Sequence, residues 1–293
     1  MTDNPPASNR GVRIPLPNMV NPIDFARFDW YEMTFDGEDD GRELMLLSAA
    51  LGVRPIAARG RNGYAAAQAF DRAGVRLCVV YGSSARAGEL HIEVQGGACD
   101  ELVPVLRRLW PEHRVSRLDV AVDMFASFDT LDAACLAAVE SSGVRHSLIV
   151  NSEGGATRYL GSPKSEVRVR VYKKSEQLIA LRPHLAHEVV AGIVRAEVQV
   201  RPSKREVKAR AATLSPAACW GFAQWSKTIA AAVLGFDAER TVTSVNASSD
   251  WRRIRHYMQR QYGPAVAKRA LEVGTVAMAA ELLELFKLEQ LEG

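Results

Sequence analysis

The stretch SEVRVRVYKKSEQ, Ser165 to Gln177, ends an arginine ladder on one tyrosine, Tyr172. A phenol among cations can fill a core, stack on a base or attack a phosphodiester. In an extended strand alternate side chains share a face. Arg168, Arg170 and Tyr172 therefore point one way, and Val167, Val169 and Val171 the other. The same rule sorts three more segments. In SRLDVAVDMF it puts Asp119, Ala121 and Asp123 opposite Leu118, Val120 and Val122; in VRAEVQVR it groups Arg195, Glu197, Gln199 and Arg201; in ELHIEVQG it groups Glu89, His91, Glu93 and Gln95. A half-exposed antiparallel sheet explains any one such face. Four together, with acids in mid-strand where their β-propensity is poor, point to a site. The carboxylates of Asp119, Asp123, Glu197 and Glu93 are oxygen donors suited to a hard divalent ion, Mg²⁺ or Mn²⁺. His91 could add a nitrogen ligand, although a lone histidine is ordinarily a structural hydrogen-bonder.

Cations crowd beside these acids. From Arg158 to Arg182 seven cations face only Glu166 and Glu176, a net of +5, and from Arg195 to Arg210 six face only Glu197 and Glu206, a net of +4. Arginine forks match phosphate oxygens in bidentate geometry. Arg158, Lys164, Arg168, Arg170, Lys173, Lys174, Arg195 and Arg201 are thus candidate DNA-backbone contacts, with a solvated charged surface as the plainer alternative. Metal, guanidinium and phenol together suggest phosphodiester chemistry, in which a tyrosine with its pKa lowered by neighbouring cations attacks phosphorus.

The elements that must position these groups follow from periodicity. From about Phe25 to Arg201 apolar residues recur mainly with period two: FDWYEMTF, AAAQAF, VRLCVVYG, LHIEVQG, SRLDVAVDMF, HSLIVN, TRYLGS, VRVRVY and VRAEVQVR read as strands. Helical patterns intervene near 43–51, 99–110, 131–141 and 175–181, so an α+β domain on a mainly antiparallel sheet, with helices on one face, is expected over 23–235. Residues 1–22, with Pro5, Pro6, Pro15, Pro17 and Pro22, read as a flexible lead-in, and 236–249 as a polar linker. SKREVKARAATL and AACWGFAQWSKTIAAAVLG are helix candidates, and 250–293 is a helical C-terminal part. There WRRIRHYMQRQYG carries Arg252, Arg253, Arg255 and Arg260 with Trp251 and Tyr257, a pattern for DNA contact or for shielding a core.

A chain of 293 residues with 47% hydrophobic and 24% charged residues has the composition of a globular protein, and a net charge of +3 says little by itself about nucleic acid. Cys78, Cys99, Cys135 and Cys219 form no CxxC pair, which argues against structural zinc and a disulfide scaffold and for buried thiols in a reducing compartment. No apolar run is long enough to span a membrane and no signal-sequence pattern opens the chain, so a cytoplasmic location is expected. The absence of GxxxxGK, and of GxGxxG after a strand, argues against a nucleotide-fuelled enzyme.

At these residues the sequence resembles the replication initiation factor family: initiators of rolling-circle plasmids, replication proteins of some filamentous phages and related relaxases of mobile elements. The matching pieces are DWYEMTF, YGSSARAGELHIEVQGGACDEL, RLDVAVD, YLGSPKSEVRVRVYKK and RAEVQVR, in the family's order between Phe28 and Arg201. The resemblance implies an endonuclease that nicks one origin strand through Tyr172, keeps the 5′ phosphate as a phosphotyrosyl link while the 3′ hydroxyl primes synthesis, and later rejoins the strand. It implies a divalent ion on Asp119 and Glu197, with Asp123 and Glu93 as further ligands, and as partners origin DNA, a host helicase and a second copy of the chain in a homodimer. Two departures stand out. The HIE triplet is not the two-histidine ligand motif of the better-known rolling-circle nucleases, and Lys173 stands where many relatives carry aspartate or asparagine. Tyr159 in TRYLGS reads as a core or stacking residue. Two competing readings are a non-catalytic DNA-binding module and a metal-dependent nuclease without a covalent intermediate.

Overall fold

The computed structural model describes residues 26–37, 41–84, 88–152, 154–241 and 247–285; the lead-in of 1–22 lies outside them. Ten strands form one antiparallel sheet: β1 (Arg27–Asp36), β2 (Ile56–Arg59), β3 (Tyr64–Arg72), β4 (Val75–Ser84), β5 (Glu89–Gln95), β6 (Arg114–Phe125), β7 (His146–Val150), β8 (Ala156–Leu160), β9 (Val167–Lys173) and β10 (Ile193–Val200). Their order across the sheet is β2-β3-β4-β5-β1-β6-β10-β9-β8-β7. Nine strands coincide with the period-two segments. The short β2, with its sequence IAAR, has one β-branched residue, Ile56, and no period-two alternation, and it forms by pairing with β3 at the sheet's edge.

Six helices accompany the sheet: α1 (Arg42–Leu51), α2 (Ala98–Leu109), α3 (Phe128–Val139), α4 (Lys174–Leu181), α5 (Arg205–Ala211) and α6 (Gln224–Ala232). In α2 the buried residues Cys99, Leu102, Val103 and Leu106 recur at helical spacing, while Asp100 and Glu101 open the helix and Arg107 and Arg108 close it, in accord with its dipole. Leu47 of α1, Cys135 of α3, Ala211 of α5 and Ile229 of α6 join Leu102 and Leu106 in a core with Tyr31, Met33, Ile92, Val120, Val169 and Val198 of the sheet. The four cysteines are buried free thiols.

Two segments differ from their sequence reading. AACWGFAQWSKTIAAAVLG is not one helix: a 3-10 turn over Ala217–Phe222 gives way to α6 at an extended Ala223 (φ −124°, ψ 149°), where the Ser226 hydroxyl bonds the Ala223 N–H and the Trp220 carbonyl. The start of the expected linker, 236–241, packs into the core instead. Phe236, Ala238 and Thr241 are buried, and Arg240 Nη1 donates to the carbonyls of Gly221 at 2.8 Å and Phe222 at 2.6 Å. The compact unit accordingly runs to Val242. A second unit, 243–293, contains α7 (Ala247–Val273) and α8 (Thr275–Leu285), joined at Gly274 and tied by Arg269 to Glu281 at 2.8 Å. Among the described residues no helix is long and apolar enough to cross a membrane.

Candidate active site on the polar face of the sheet

Pairing in register brings the polar halves of four strands together. Arg195 of β10 lies between Tyr172 of β9 and Asp123 of β6; Glu197 lies between Arg170 and Ala121; Gln199 lies between Arg168 and Asp119. The opposite face, with Val194, Ala196, Val198 and Val200, is core, so packing leaves the strands no freedom to slip. Farther out, Trp30 and Glu32 of β1, and His91 and Glu93 of β5, extend the polar face.

Tyr172 is buried, and its Oη donates to Glu197 Oε2 at 3.1 Å. Burial and the adjacent Glu197 carboxylate push the phenol pKa well up, with Arg195 and Arg170 opposing. The expected lowering does not occur, because desolvation outweighs the cations. Burial also raises the Glu197 carboxyl against the pull of Arg170. Tyr172 forms part of the wall of a cavity of about 300 Å³ lined also by Arg170, Thr157, Tyr159, Lys173 and residues of α4 such as Gln177. Lys174, buried, stands with Nζ 5.8 Å from the centre of the Tyr172 ring and donates to Gln177 Oε1 at 3.0 Å. Burial lowers its pKa to about 8.

The acids are distributed unevenly. Arg170 Nη2 bonds both Glu197 Oε1 and Asp119 Oδ2, the latter at 3.3 Å, so these two carboxylates stand side by side. Asp119 also receives Arg117 and the Gln199 amide. Asp123 is enclosed by Arg195, at 2.5 and 2.8 Å, and by Arg27 at 2.5 Å; Glu93 is enclosed by Arg61 and Gln95. Among the described residues no group of three or more His, Cys, Asp and Glu side chains is placed to hold a metal ion. The donor chemistry of Asp119 and Glu197 fits a hard divalent cation, since two adjacent carboxylates already share one positive group. Asp123 and Glu93 are, like Asp119, occupied by guanidinium or amide donors, but the donors that hold them are not those of that pair. His91 accepts a different role: it stacks on Tyr64 and lies 3.2 Å from the Thr34 hydroxyl.

The candidate phosphate contacts also divide. Arg168 and Arg170 lie on the polar face with Tyr172. Lys173 borders the cavity and donates to the Gly154 carbonyl at 3.1 Å, and Lys174 lies buried beneath it. Lys164 and Arg201 are exposed at the β8–β9 turn end. Two expectations are corrected. Arg195 is fully buried in its bonds to Asp123 and Asp29, beyond the reach of a phosphate, because mid-strand burial requires it to neutralise those acids. Arg158 faces away from Tyr172 and pairs bidentately with Asp132 of α3, both bonds at 2.7 Å. In α7, Arg255 and Arg260 are exposed; the side chains of Trp251, Arg252, Arg253 and Tyr257 lie outside the described residues.

Asp29 and Arg27 escaped the sequence reading because a β-bulge interrupts alternation: Phe28 pairs with Val120 and Trp30 with the next residue, Asp119. The extra residue, Asp29, reaches Arg195 at 3.0 Å. The signal was present in FDWY, where two polar-face residues stand between two core aromatics.

No family model and no curated protein matches the chain. Among solved structures it is similar to the rolling circle replication initiator protein from Geobacillus stearothermophilus, at 22% identity and a TM-score of 0.49, over 77% of this chain and 90% of that one. A functional reading therefore rests on the site's own chemistry.

Proposed function

We propose that this chain is a rolling-circle replication initiator that nicks one strand of origin DNA with Tyr172 as nucleophile. The observation that carries the reading is the buried Tyr172–Glu197 hydrogen bond at the wall of a cavity that also exposes Arg170. A phenol with a raised pKa does not ionise by itself at neutral pH, so its attack needs a base, and Glu197 is already its hydrogen-bond acceptor. As Tyr172 Oη bonds to phosphorus, its proton passes to Glu197 Oε2. The P–O3′ bond breaks, the 3′ oxygen takes up through water the proton that Glu197 received, and the 5′ phosphate stays on the tyrosine. Arg170, which lines the same cavity, would stabilise charge on the phosphoryl oxygens. Asp119 and Glu197 would hold Mg²⁺ or Mn²⁺, which supplies further charge neutralisation at those oxygens when bound. Resolution reverses the first step, with an incoming 3′ hydroxyl displacing Tyr172.

The test is incubation of the purified chain with supercoiled DNA of its own replicon and Mn²⁺ or Mg²⁺, followed by a denaturing gel. A protein–DNA adduct is expected for wild type and none for Tyr172→Phe, with Glu197→Gln slowed by about 100-fold or more. Nicking without an adduct would identify a hydrolase, and retarded but intact DNA a binding protein.

A further inference from the structure

A second cavity, of about 410 Å³, lies apart from the Tyr172 site. Its walls come from the β8–β9 turn, the junction of the 3-10 turn with α6, and the docked segment 236–241, and it shares no lining residue with the Tyr172 cavity. Val167, at its rim, and Tyr172 stand on the same strand, roughly 17 Å apart at the usual rise per residue. Two glycines let these walls meet. A Cβ on Gly221 would collide with the Glu239 carbonyl, so only glycine admits the docked segment onto the 3-10 turn. Gly161 holds φ +91°, and a Cβ there would lie 2.8 Å from the Val167 carbonyl oxygen and 3.5 Å from the Trp225 ring. The docked segment brings Arg240 to the cavity. Its Nη1 is braced by the carbonyls of Gly221, Phe222 and Thr241, while Nε and Nη2 make no hydrogen bond among the described residues.

We propose that this cavity binds a single guanine nucleotide, its phosphate on Arg145 and Arg240, its base on Trp225 and its pairing edge on Glu166. Binding there is separate from the nicking reaction and does not involve Tyr172. Arg145 and Arg240 form no ion pair among the described residues, and together they outnumber the one carboxylate in the wall. An anion supplies the partner they lack, and a guanidinium fixed by its other edge is prepared for phosphate oxygens. The N-terminal end of α6, at Gln224 and Trp225, borders the same space and adds the positive end of its dipole. Trp225 is half-buried and offers an aromatic surface on which a base stacks. Glu166 is held by one oxygen: Oε1 accepts the Ser203 N–H at 2.8 Å and its hydroxyl at 3.3 Å, and Oε2 takes no hydrogen bond among the described residues. A carboxylate is acceptor-only. Guanine presents two adjacent donors on its pairing edge, N1–H and N2–H, where adenine presents one, so the acid favours guanine. The cavity is within the size range of small-ligand pockets, and the chain has no glycine-rich phosphate loop, so a monophosphate is the fitting form. A free monophosphate and a guanine turned out of a DNA strand offer the same ring, edge and phosphate.

The experiment is titration calorimetry of the full chain with dGMP, deoxyguanosine and dAMP. Wild type is expected to bind dGMP about tenfold more tightly than either of the other two. Arg145→Gln, at an exposed residue, should remove most of the advantage of dGMP over deoxyguanosine, and Arg240→Gln should do the same. Glu166→Gln should remove the preference over dAMP and keep the advantage of the phosphate. Tyr172→Phe should bind all three like wild type. dGMP should also change the tryptophan fluorescence, and Trp225→Phe should abolish that change. The site is overturned if dGMP gives no heat at millimolar concentration, or if Arg145→Gln and Glu166→Gln bind like wild type. Loss of the heat in Tyr172→Phe would also overturn it, by placing the nucleotide in the other cavity. A DNA hairpin with one unpaired guanine that displaces dGMP would identify DNA as the source of the base; a hairpin that fails to displace it would identify the free nucleotide, and either result sustains the site. Binding of dGMP without a Tyr172 adduct would refute the nicking reading alone, and an adduct without dGMP binding would refute this site alone.

Discussion

His91 sits between Thr34 and the rings of Tyr64 and Tyr81, with Arg61 and Glu93 beside it. Burial, reinforced by Arg61, lowers its pKa from 6.5 to about 4. Between those pH values the folded chain binds fewer protons than the unfolded one. Stability is therefore complete above pH 6.5 and falls as pH drops toward 4, by on the order of 3 kcal/mol. His113, held by Tyr31 at 2.7 Å and also lowered by burial, acts with the same sign, while Glu32 and Glu197, both raised, act with the opposite one. Urea unfolding of wild type and His91→Asn at several pH values isolates the residue: the variant is expected to lose stability less steeply between pH 6.5 and 4. Parallel curves would show that His91 is protonated in the folded chain. The sequence put His91 on the polar face and left open whether it binds metal. Its stacking partner Tyr64 lies 27 positions upstream on β3, a distance that local periodicity does not bridge.

At the scale of elements, the centre of the sheet depends on Arg195. Its guanidinium joins β10 to Asp123 of β6 and to Asp29 in the bulge of β1. Arg195→Ala takes the guanidinium from Asp29 and from the almost wholly buried Asp123, which keeps Arg27, and is expected to cost about 3–5 kcal/mol in chemical unfolding, whereas Arg201→Ala at the exposed end of the same segment is expected to stay within about 0.5 kcal/mol. Similar losses for the two would mean that Arg195 is open to solvent. The two residues look alike in VRAEVQVR, where alternation gives them one face. Only their depth in the sheet separates an internal counter-ion from a surface cation. The bulge in β1 is a related case, because alternation is a property of one strand while a bulge is a property of a pair.

At the scale of the whole molecule, the sheet, its helices and the Tyr172 cavity all belong to the unit ending at Val242, which includes the docked segment 236–241. A chain truncated after Val242 is expected to melt cooperatively within a few degrees of the full chain, and to form the Tyr172 adduct at a comparable rate. A truncated chain that melts without cooperativity would show that α7 and α8 complete the core.

Period-two patterning by itself determined nine of the ten strands, the α+β class and the face on which Tyr172, Arg170, Glu197 and Asp119 stand, because the direction of a side chain in a strand is a local consequence of the pleat. Tertiary structure alone decided which acids meet which cations: that Arg170 bridges Asp119 and Glu197, that Arg195 and Arg158 are consumed by Asp123 and Asp132, and that Tyr172 is held protonated against Glu197. Those outcomes depend on strand order, register and burial, and on the balance between desolvation and charge that burial sets.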